Sequence, residues 1–259
     1  PVRIVPDGSG PVIIDTSAAR LTIHNIPAGS FDLTIANLVV GGASSPFGME
    51  VVNCDNVIVL ESLTVTAGTG VIGLNIDNTS HLAIQNSNIG GDPGLVIQNG
   101  SLVYLSRGSA DELRVLTGSN VTYCDLTPGS LTVGPTAAAT LLPGLMPDLQ
   151  FKPCWHGDKP VDLTIRADPG SFFGVVFSLR RDFLDLTPVF PIDMVLLLDQ
   201  TLAITLLTAT TPPSGQVTVP VISPGNPVGW GVNLPLQVLT LQSSGQGRMG
   251  TSHDIVFVP

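Results

Sequence analysis

The sequence predicts an all-β chain in which an N-terminal parallel β-solenoid is followed by a β-sandwich. Three observations support this. A five-residue apolar pattern recurs at spacings of 24, 25, 20 and 19 residues, starting at Leu33, Val57, Leu82, Leu102 and Val121. Repeats of about 20–50 residues are typical of solenoids, where each repeat buries its apolar face against its neighbours. The chain also has 28 glycines and 22 prolines, as expected for many turns. After Pro128 the repeat pattern predicts one more strand at Leu131-Thr132-Val133, and seven short strands separated by turns follow between residues 161 and 258, one of them at 202–207.

Two columns of the aligned repeats are apolar throughout and lie two residues apart, which is the side-chain period of a strand. The first column holds Leu33, Val57, Leu82, Leu102 and Val121, and the second holds Ile35, Val59, Ile84, Tyr104 and Tyr123. This alternation predicts one strand per repeat with these columns facing the core.

Two polar rows flank the strands. The row that closes each repeat is Asn37, Glu61, Asn86, Ser106 and Asp125, and the row that precedes the strands is Asn25, Asn53, Asn78 and Asn99. Asn and Asp tolerate turn conformations and bond their own backbone. Both rows therefore predict turns between successive strands.

Repeating strand, Asn-bearing turn and strand at this period resemble the pectate-lyase-like right-handed parallel β-helix, over about residues 3–140. In that family, polysaccharide cleavage uses a calcium-binding acid cluster beside an Arg or Lys base. Here the arginines of the predicted helix are Arg3, Arg20, Arg107 and Arg114, and none has such a cluster beside it. We therefore expect no cofactor; calcium is compatible with the acidic charge, but no specific site is identified.

A glycosidase pair is also not expected. The acids of the closing row, Glu61 and Asp125, are separated by two further coils and should lie roughly 14 Å apart at about 4.8 Å per coil. Paired glycosidase carboxylates lie about 5–9.5 Å apart. We expect the protein not to be an enzyme.

The outward positions of two repeats carry Ile58 with Leu60 and Val103 with Leu105 in this alignment. A strand that is apolar on both faces is usually covered on both. The sequence therefore predicts a covered flank made of these four residues. The C-terminal domain, the loop at 40–46 or another subunit could cover it.

The solenoid is predicted to occupy residues 1–142 and the sandwich residues 143–259. The C-terminal part resembles the sandwich modules of large secreted bacterial proteins. Trp155, in the cluster Cys154-Trp155-His156-Gly157-Asp158, is interpreted as an anchor at the domain interface, with sugar stacking as the alternative. Trp230, in a glycine-rich loop, has the same two interpretations.

The charged residues of the chain indicate which kinds of partner it can have. Charged residues make up 12% of the chain and the net charge is −10. Nucleic-acid binding depends on Lys and Arg, so we expect no nucleic-acid partner. A surface with so few charges favours association. The sequence has no run of 18 apolar residues, so we expect no transmembrane segment. We expect an extracellular or cell-surface protein whose leader is absent from the opening Pro1-Val2-Arg3.

The three cysteines, Cys54, Cys124 and Cys154, leave at least one unpaired. A bridge between Cys124 and Cys154 is one alternative and three buried thiols the other.

Asn78, Asn99 and Asn120 each begin an Asn-x-Ser/Thr pattern, which we interpret as turn and strand residues rather than glycan acceptors.

The chain is expected to be a non-enzymatic structural or surface protein whose copies associate into a fibre or layer. The contacts would be the apolar flank and the solenoid ends, because the chain opens within a coil at Val2-Arg3-Ile4-Val5 and uncovered coil ends expose unpaired backbone. A carbohydrate-binding or adhesive module, with polysaccharide as partner, is the alternative. A polysaccharide lyase or hydrolase is the third interpretation.

Overall fold

A computed structural model of the chain describes residues 2–4, 12–15, 20–29, 32–43, 46–151, 154–156, 159–186, 192–222 and 233–258. These residues form β-strands and no helix, which confirms the all-β prediction with an N-terminal solenoid. In the part so described, no helix is long and apolar enough to cross a membrane. The chain divides into two compact units, unit 1 (Pro1–Gly144) and unit 2 (Leu145–Pro259).

Unit 1 is a parallel β-solenoid of about five turns. Sheet A contains, in pairing order, β1 (Val2–Ile4), β4 (Leu33–Ala36), β7 (Ile58–Glu61), β10 (Leu82–Gly90), β12 (Leu102–Ala110), β14 (Asn120–Pro128) and β16 (Ala138–Leu142). Three further strands of this sheet pair in the order β2 (Val12–Asp15), β5 (Leu38–Ala43) and β8 (Thr64–Ala67), and β8 pairs with β10. Sheet B contains β15 (Leu131–Val133), β13 (Leu113–Val115), β11 (Leu95–Gln98), β9 (Ile72–Asp77), β6 (Phe47–Val52) and β3 (Leu21–His24).

The core of unit 1 is built from columns of apolar side chains that lie one above another because the strands are parallel and in register. In sheet B one such column is Leu21, Met49, Leu74, Leu95 and Leu113. In sheet A the matching column is Leu33, Ile58, Leu82, Val103 and Val121. Each fully buried Leu or Val contributes about 1.5–3 kcal/mol, so stacking of coils holds the unit together.

The predicted alignment of the repeats is wrong by one residue in two coils. Leu33 pairs with Ile58 rather than Val57, and Leu82 pairs with Val103 rather than Leu102. Both strands are apolar at four consecutive positions, 57–60 and 102–105. A continuous apolar run gives no alternation, so the sequence pattern alone does not set which residues face inward.

The described residues of unit 2 form three further sheets. Sheet C pairs β17 (Asp148–Gln150), β19 (Pro160–Arg166) and β25 (Gln216–Ile222). Sheet D pairs, in order, β18 (Cys154–His156), β27 (Gly247–Val258), β26 (Asn233–Leu241), β20 (Phe172–Phe177) and β24 (Ile204–Thr210), with β22 (Ile192–Asp193) beside β27. Sheet E pairs β21 (Leu184–Asp185) with β23 (Val195–Leu196). Sheets C and D contribute to one apolar cluster that includes Leu163, Phe173 and Leu236.

Candidate functional site

The residues of the predicted flank lie inside the solenoid. Ile58, Leu60, Val103 and Leu105 are all 0% exposed and belong to the core cluster of unit 1. The outward assignment was wrong because a slip of one residue moves every side chain of a strand to the other face. The residues that alternate with them, Val59 and Tyr104, are 0% and 6% exposed. These strands are therefore buried on both faces, and the predicted flank offers no contact surface.

The preceding row of asparagines forms a ladder along the solenoid. Asn25, Asn53, Asn78 and Asn99 all have positive φ, between 43° and 56°. The Asn78 amide donates to Asn53 Oδ1 at 2.8 Å, and the Asn53 amide approaches Asn25 Oδ1 at 3.5 Å. Asn99 instead donates to Asp77 Oδ1 at 2.7 Å. Asparagine serves both needs here, since it tolerates the left-handed conformation and its side chain bonds the next coil.

Replacing Asn78 by alanine should destabilise unit 1 more than replacing it by glycine. Alanine meets a left-handed penalty of about 1–2 kcal/mol that glycine does not, and both lose the hydrogen bond to Asn53 Oδ1. Urea denaturation of both variants measures the difference.

The matched control is Asn88, an exposed residue within β10 that accepts a hydrogen bond from Ser109 at 2.9 Å. At this strand position glycine should be the more costly replacement. If Asn78→Ala and Asn78→Gly were equally unstable, the backbone conformation would not explain the row.

The closing row differs from its prediction in two coils. Asn37, Asn86 and Asp125 have φ between 51° and 55°, and the aligned residues of the other coils are Ser62 and Arg107, with φ of 53° and 57°. Glu61 and Ser106 precede this row by one residue because of the same slip. Asn86, Arg107 and Asp125 lie inside β10, β12 and β14, where the left-handed residue interrupts the strand pairing, so the predicted turn between strands was wrong in these coils. Asp125 lies beside Arg107, with Oδ2 and Nε 3.7 Å apart. The row therefore pairs a carboxylate with a cation rather than with a second acid.

A third row, of Ser, Thr and Cys side chains, is buried inside the solenoid and was not predicted. Cys54, Thr79, Ser101 and Ser119 are each at most 1% exposed. The Ser101 hydroxyl accepts a hydrogen bond from the backbone N–H of Thr79, and the Ser119 hydroxyl accepts one from the backbone N–H of Ser101, both at 3.1 Å. Ser101, the third residue of the Asn99 glycosylation pattern, is thus committed to the interior. The sequence signal was a Ser, Thr or Cys one or two residues after each turn.

Two cysteines have described side chains. Cys54 is a fully buried free thiol, and Cys124 is fully buried with its Sγ 3.6 Å from the Gly144 carbonyl oxygen. Burial raises the pKa of the Cys54 thiol, partly offset by hydrogen bonds to backbone groups near Ile26 and Val52. A buried neutral thiol at this position packs as a small apolar side chain. The side chain of Cys154 lies outside the described residues.

Trp155 provides no platform for a sugar. Trp155 is 2% exposed and lies within the apolar cluster of unit 2, edge-on to Phe151 and Phe257 at centroid distances of 6.1 and 5.8 Å. A side chain this deeply buried offers no face to a sugar, so the stacking interpretation was wrong. The interpretation of Trp155 as an anchor at the domain interface stays a prediction. Trp230 lies outside the described residues.

One cluster in unit 2 combines an acid, a hydroxyl and an imidazole. Thr251 Oγ1 lies 3.1 Å from both Asp148 Oδ1 and His253 Nε2, and it also accepts from the Leu149 amide at 3.1 Å. Thr251 is 0% exposed. A hydroxyl that is fully buried and already bonded on three sides does not reach a substrate, so this cluster connects β17 to β27. Across the described ranges, no group of three or more His, Cys, Asp or Glu could hold a metal ion.

The last coil of the solenoid exposes apolar side chains at positions where the preceding coil buries them. Leu131 and Val133 in β15 are 42% and 43% exposed, whereas their partners in the preceding coil, Leu113 and Val115, are 0% exposed. Leu141 in β16 is 57% exposed. We call Leu131, Val133 and Leu141 the terminal-coil surface.

The terminal-coil surface is exposed because no further coil of the described residues stacks on it. Leu141 pairs with Tyr123, which is 7% exposed and itself pairs with the fully buried Leu105. Within the described part of the chain, β15 pairs only with β13 and β16 only with β14. This surface therefore combines core-type side chains with strand edges, and it is the candidate functional site of unit 1.

Comparison with known proteins adds no family. No protein-family model matches the chain, and no curated protein matches it. Among solved structures, the superoxide reductase (neelaredoxin) from Ignicoccus hospitalis is 10% identical, with a TM-score of 0.29, over 44% of this chain and 80% of its own. A similarity of this extent assigns neither fold nor activity, so the terminal-coil surface is interpreted from its own geometry.

Proposed function

We propose that the protein is a non-enzymatic structural or surface protein whose copies associate through the end of the solenoid. The observation that supports this proposal is the terminal-coil surface, where Leu131, Val133 and Leu141 continue the core columns into solvent. A partner that covers them gains about 1.5–3 kcal/mol for each side chain that becomes fully buried. Part of that gain offsets the entropy lost on association.

The charge distribution supports association at the same place. No Asp, Glu, Lys or Arg occurs between Asp125 and Asp148. Edge strands of soluble proteins are usually protected by charged residues, especially lysine. Neither β15 nor β16 has such protection, so nothing in this segment opposes the approach of another chain.

A contact between unlike surfaces of identical chains produces rings or open filaments. The proposed assembly is accordingly a fibre or layer, and its proposed setting is extracellular or the cell surface. The resemblance to pectate-lyase-like β-helices and to the sandwich modules of secreted bacterial proteins supports that setting. We further propose that sheets C and D of unit 2 form a β-sandwich, since they share one apolar cluster.

The test is the mass distribution of the full chain by light scattering, with electron microscopy of the same sample. The wild-type protein should form particles larger than a 26.9 kDa monomer. The variant Leu131→Lys/Leu141→Lys should reduce their mass, because the charges would lie in the contact. Its control is Thr66→Lys, an exposed residue of β8, which pairs with β5 on one side and β10 on the other, and it should leave the mass unchanged. A wild-type protein that is monomeric, or assemblies that the double variant leaves intact, would contradict the proposal.

The alternative is a carbohydrate-binding or adhesive module, favoured by the exposed amides of the asparagine ladder. Beside them the outward side of sheet B carries Glu50, Asn75 and Gln98, but these already bond one another. Glu50 Oε1 accepts from Asn75 at 3.1 Å, and Asn75 Oδ1 accepts from Gln98 at 3.3 Å. Binding of a soluble polysaccharide to the Leu131→Lys/Leu141→Lys variant, lost when Asn53→Gly and Asn78→Gly are added, would support this alternative.

A further inference from the structure

Strand β24 forms one edge of sheet D. Among the residues that the structure describes, it pairs with β20 and with no other strand. Ile204 is 56% exposed, and Thr205 and Thr208 to Thr210 are also exposed. The edge of a sheet presents backbone N–H and C=O groups to any strand that approaches. This edge is therefore open for strand addition.

The sequence of β24 has none of the features that protect an edge. It reads Ile-Thr-Leu-Leu-Thr-Ala-Thr, without charge, proline or glycine, and no charged residue occurs between Asp199 and Arg248. Segments of high β-propensity with low charge and no proline pair readily with further strands. The edge strand β25 of sheet C differs in containing Pro220, and proline is a usual edge protector.

Exposed apolar residues continue from this edge across the outer side of sheet D. Phe172 pairs with Thr210 of β24 on one side and with Leu241 of β26 on the other. Phe172 is 47% exposed and Leu241 is 44% exposed. An added strand at β24 would thus lie beside an apolar strip, which adds side-chain burial to the backbone hydrogen bonds.

We propose that β24 pairs in the antiparallel direction with β24 of a second copy of this chain, joining two D sheets across a two-fold axis. A sheet edge is self-complementary about such an axis, so one strand supplies both halves of the contact. Charge favours the same occupant: each chain carries a net charge of −10, and two copies repel least where an uncharged stretch meets its own counterpart. Unlike the terminal-coil contact, this contact closes on itself as a dimer.

The experiment separates the two contacts by using Leu131→Lys/Leu141→Lys as the starting protein. Sedimentation velocity over a concentration series should show a dimer in this background. Adding Thr205→Lys/Thr208→Lys should weaken dimerisation by at least about tenfold, because like charges on adjacent strands repel. The matched control, Thr218→Lys on edge strand β25, should leave it unchanged. Circular dichroism and the midpoint of thermal unfolding establish that each variant is folded.

Hydrogen exchange provides a second measurement that needs no further substitution. In the starting protein, the amides of β24 should become more protected as concentration rises, and those of β25 should not. A starting protein that stays monomeric, a dimer insensitive to Thr205→Lys/Thr208→Lys, or protection of β24 only on adding a different chain would each overturn the pairing. A wild-type protein that forms no polymers, while the starting protein shows the β24 dimer, would instead contradict only the terminal-coil contact.

Discussion

Replacing Leu105 by lysine is expected to prevent unit 1 from folding. Leu105 is 0% exposed and lies between Ile84 and Tyr123 of the adjacent strands, within the apolar core of the solenoid. An ammonium group placed there would lose its hydration without gaining an ionic partner, which costs several kcal/mol. Because domains are stable by only about 5–15 kcal/mol, the solenoid should lose its cooperative unfolding transition in circular dichroism.

Graded variants relate this loss to burial. Leu105→Ala should lower the free energy of unfolding of unit 1 by about 2–5 kcal/mol, and Leu105→Met, of similar volume, by less than about 1.5 kcal/mol. Thr127→Lys in β14 is the control for the charge, since Thr127 is exposed, and it should change stability by about 0.5 kcal/mol or less. A folded Leu105→Lys protein of unchanged stability would mean that the side chain faces outward.

The periodicity and the turns of the solenoid could be predicted because they depend on local chemistry. Asn25, Asn53, Asn78 and Asn99 were assigned to turns from residue type and spacing, and all four have positive φ. The facing of the strands could not be predicted. Val57 to Leu60 are apolar without alternation, and only pairing with the neighbouring coils decides that Ile58 and Leu60 face inward.

The terminal-coil surface and the edge at β24 are exposed because a strand has no neighbour on one side. The spacing of residues in the sequence does not show which strands lack a neighbour. The pattern at Leu131-Thr132-Val133 predicted a further strand, but its exposure follows from the lack of another described coil stacked on it. In the same way, the prediction of a strand at 202–207 did not show that β24 lies at the edge of sheet D. The signal that could have indicated both surfaces was present in the sequence: the uncharged stretches after Asp125 and after Asp199.

The largest effect expected in unit 2 comes from the buried ion pair between Arg181 and Asp254. Arg181 Nη2 lies 2.8 Å from Asp254 Oδ1, and the two side chains are only 4% and 1% exposed. Arg181 also donates through Nη1 to the Ser252 hydroxyl at 2.8 Å. The two charged partners are 73 residues apart in the chain, so no local pattern predicts the pair.

Arg181→Met should lower the free energy of unfolding of unit 2 by about 3–5 kcal/mol, because it leaves the Asp254 carboxylate buried without its cation. The preceding residue supplies a matched control. Arg180 Nη2 lies 3.7 Å from Asp199 Oδ2, with the Arg180 side chain 70% exposed. Exposed pairs of this kind contribute about 0–1 kcal/mol, so Arg180→Met should change stability little. Chemical denaturation of the full chain measures both variants.

The double variant Arg181→Met/Asp254→Leu distinguishes the loss of a net attraction from the cost of an uncompensated charge. If the cost arises from leaving one charge buried alone, removing the second charge should recover much of the stability, and the two single effects should not add. If the double variant instead recovered nothing relative to Arg181→Met, the cost would be the loss of the pair's own attraction, and fully additive single effects would mean that the two side chains are not coupled. Stability should not recover completely in the double variant, because the Ser252 hydroxyl loses its hydrogen bond from Arg181 in both variants that replace Arg181.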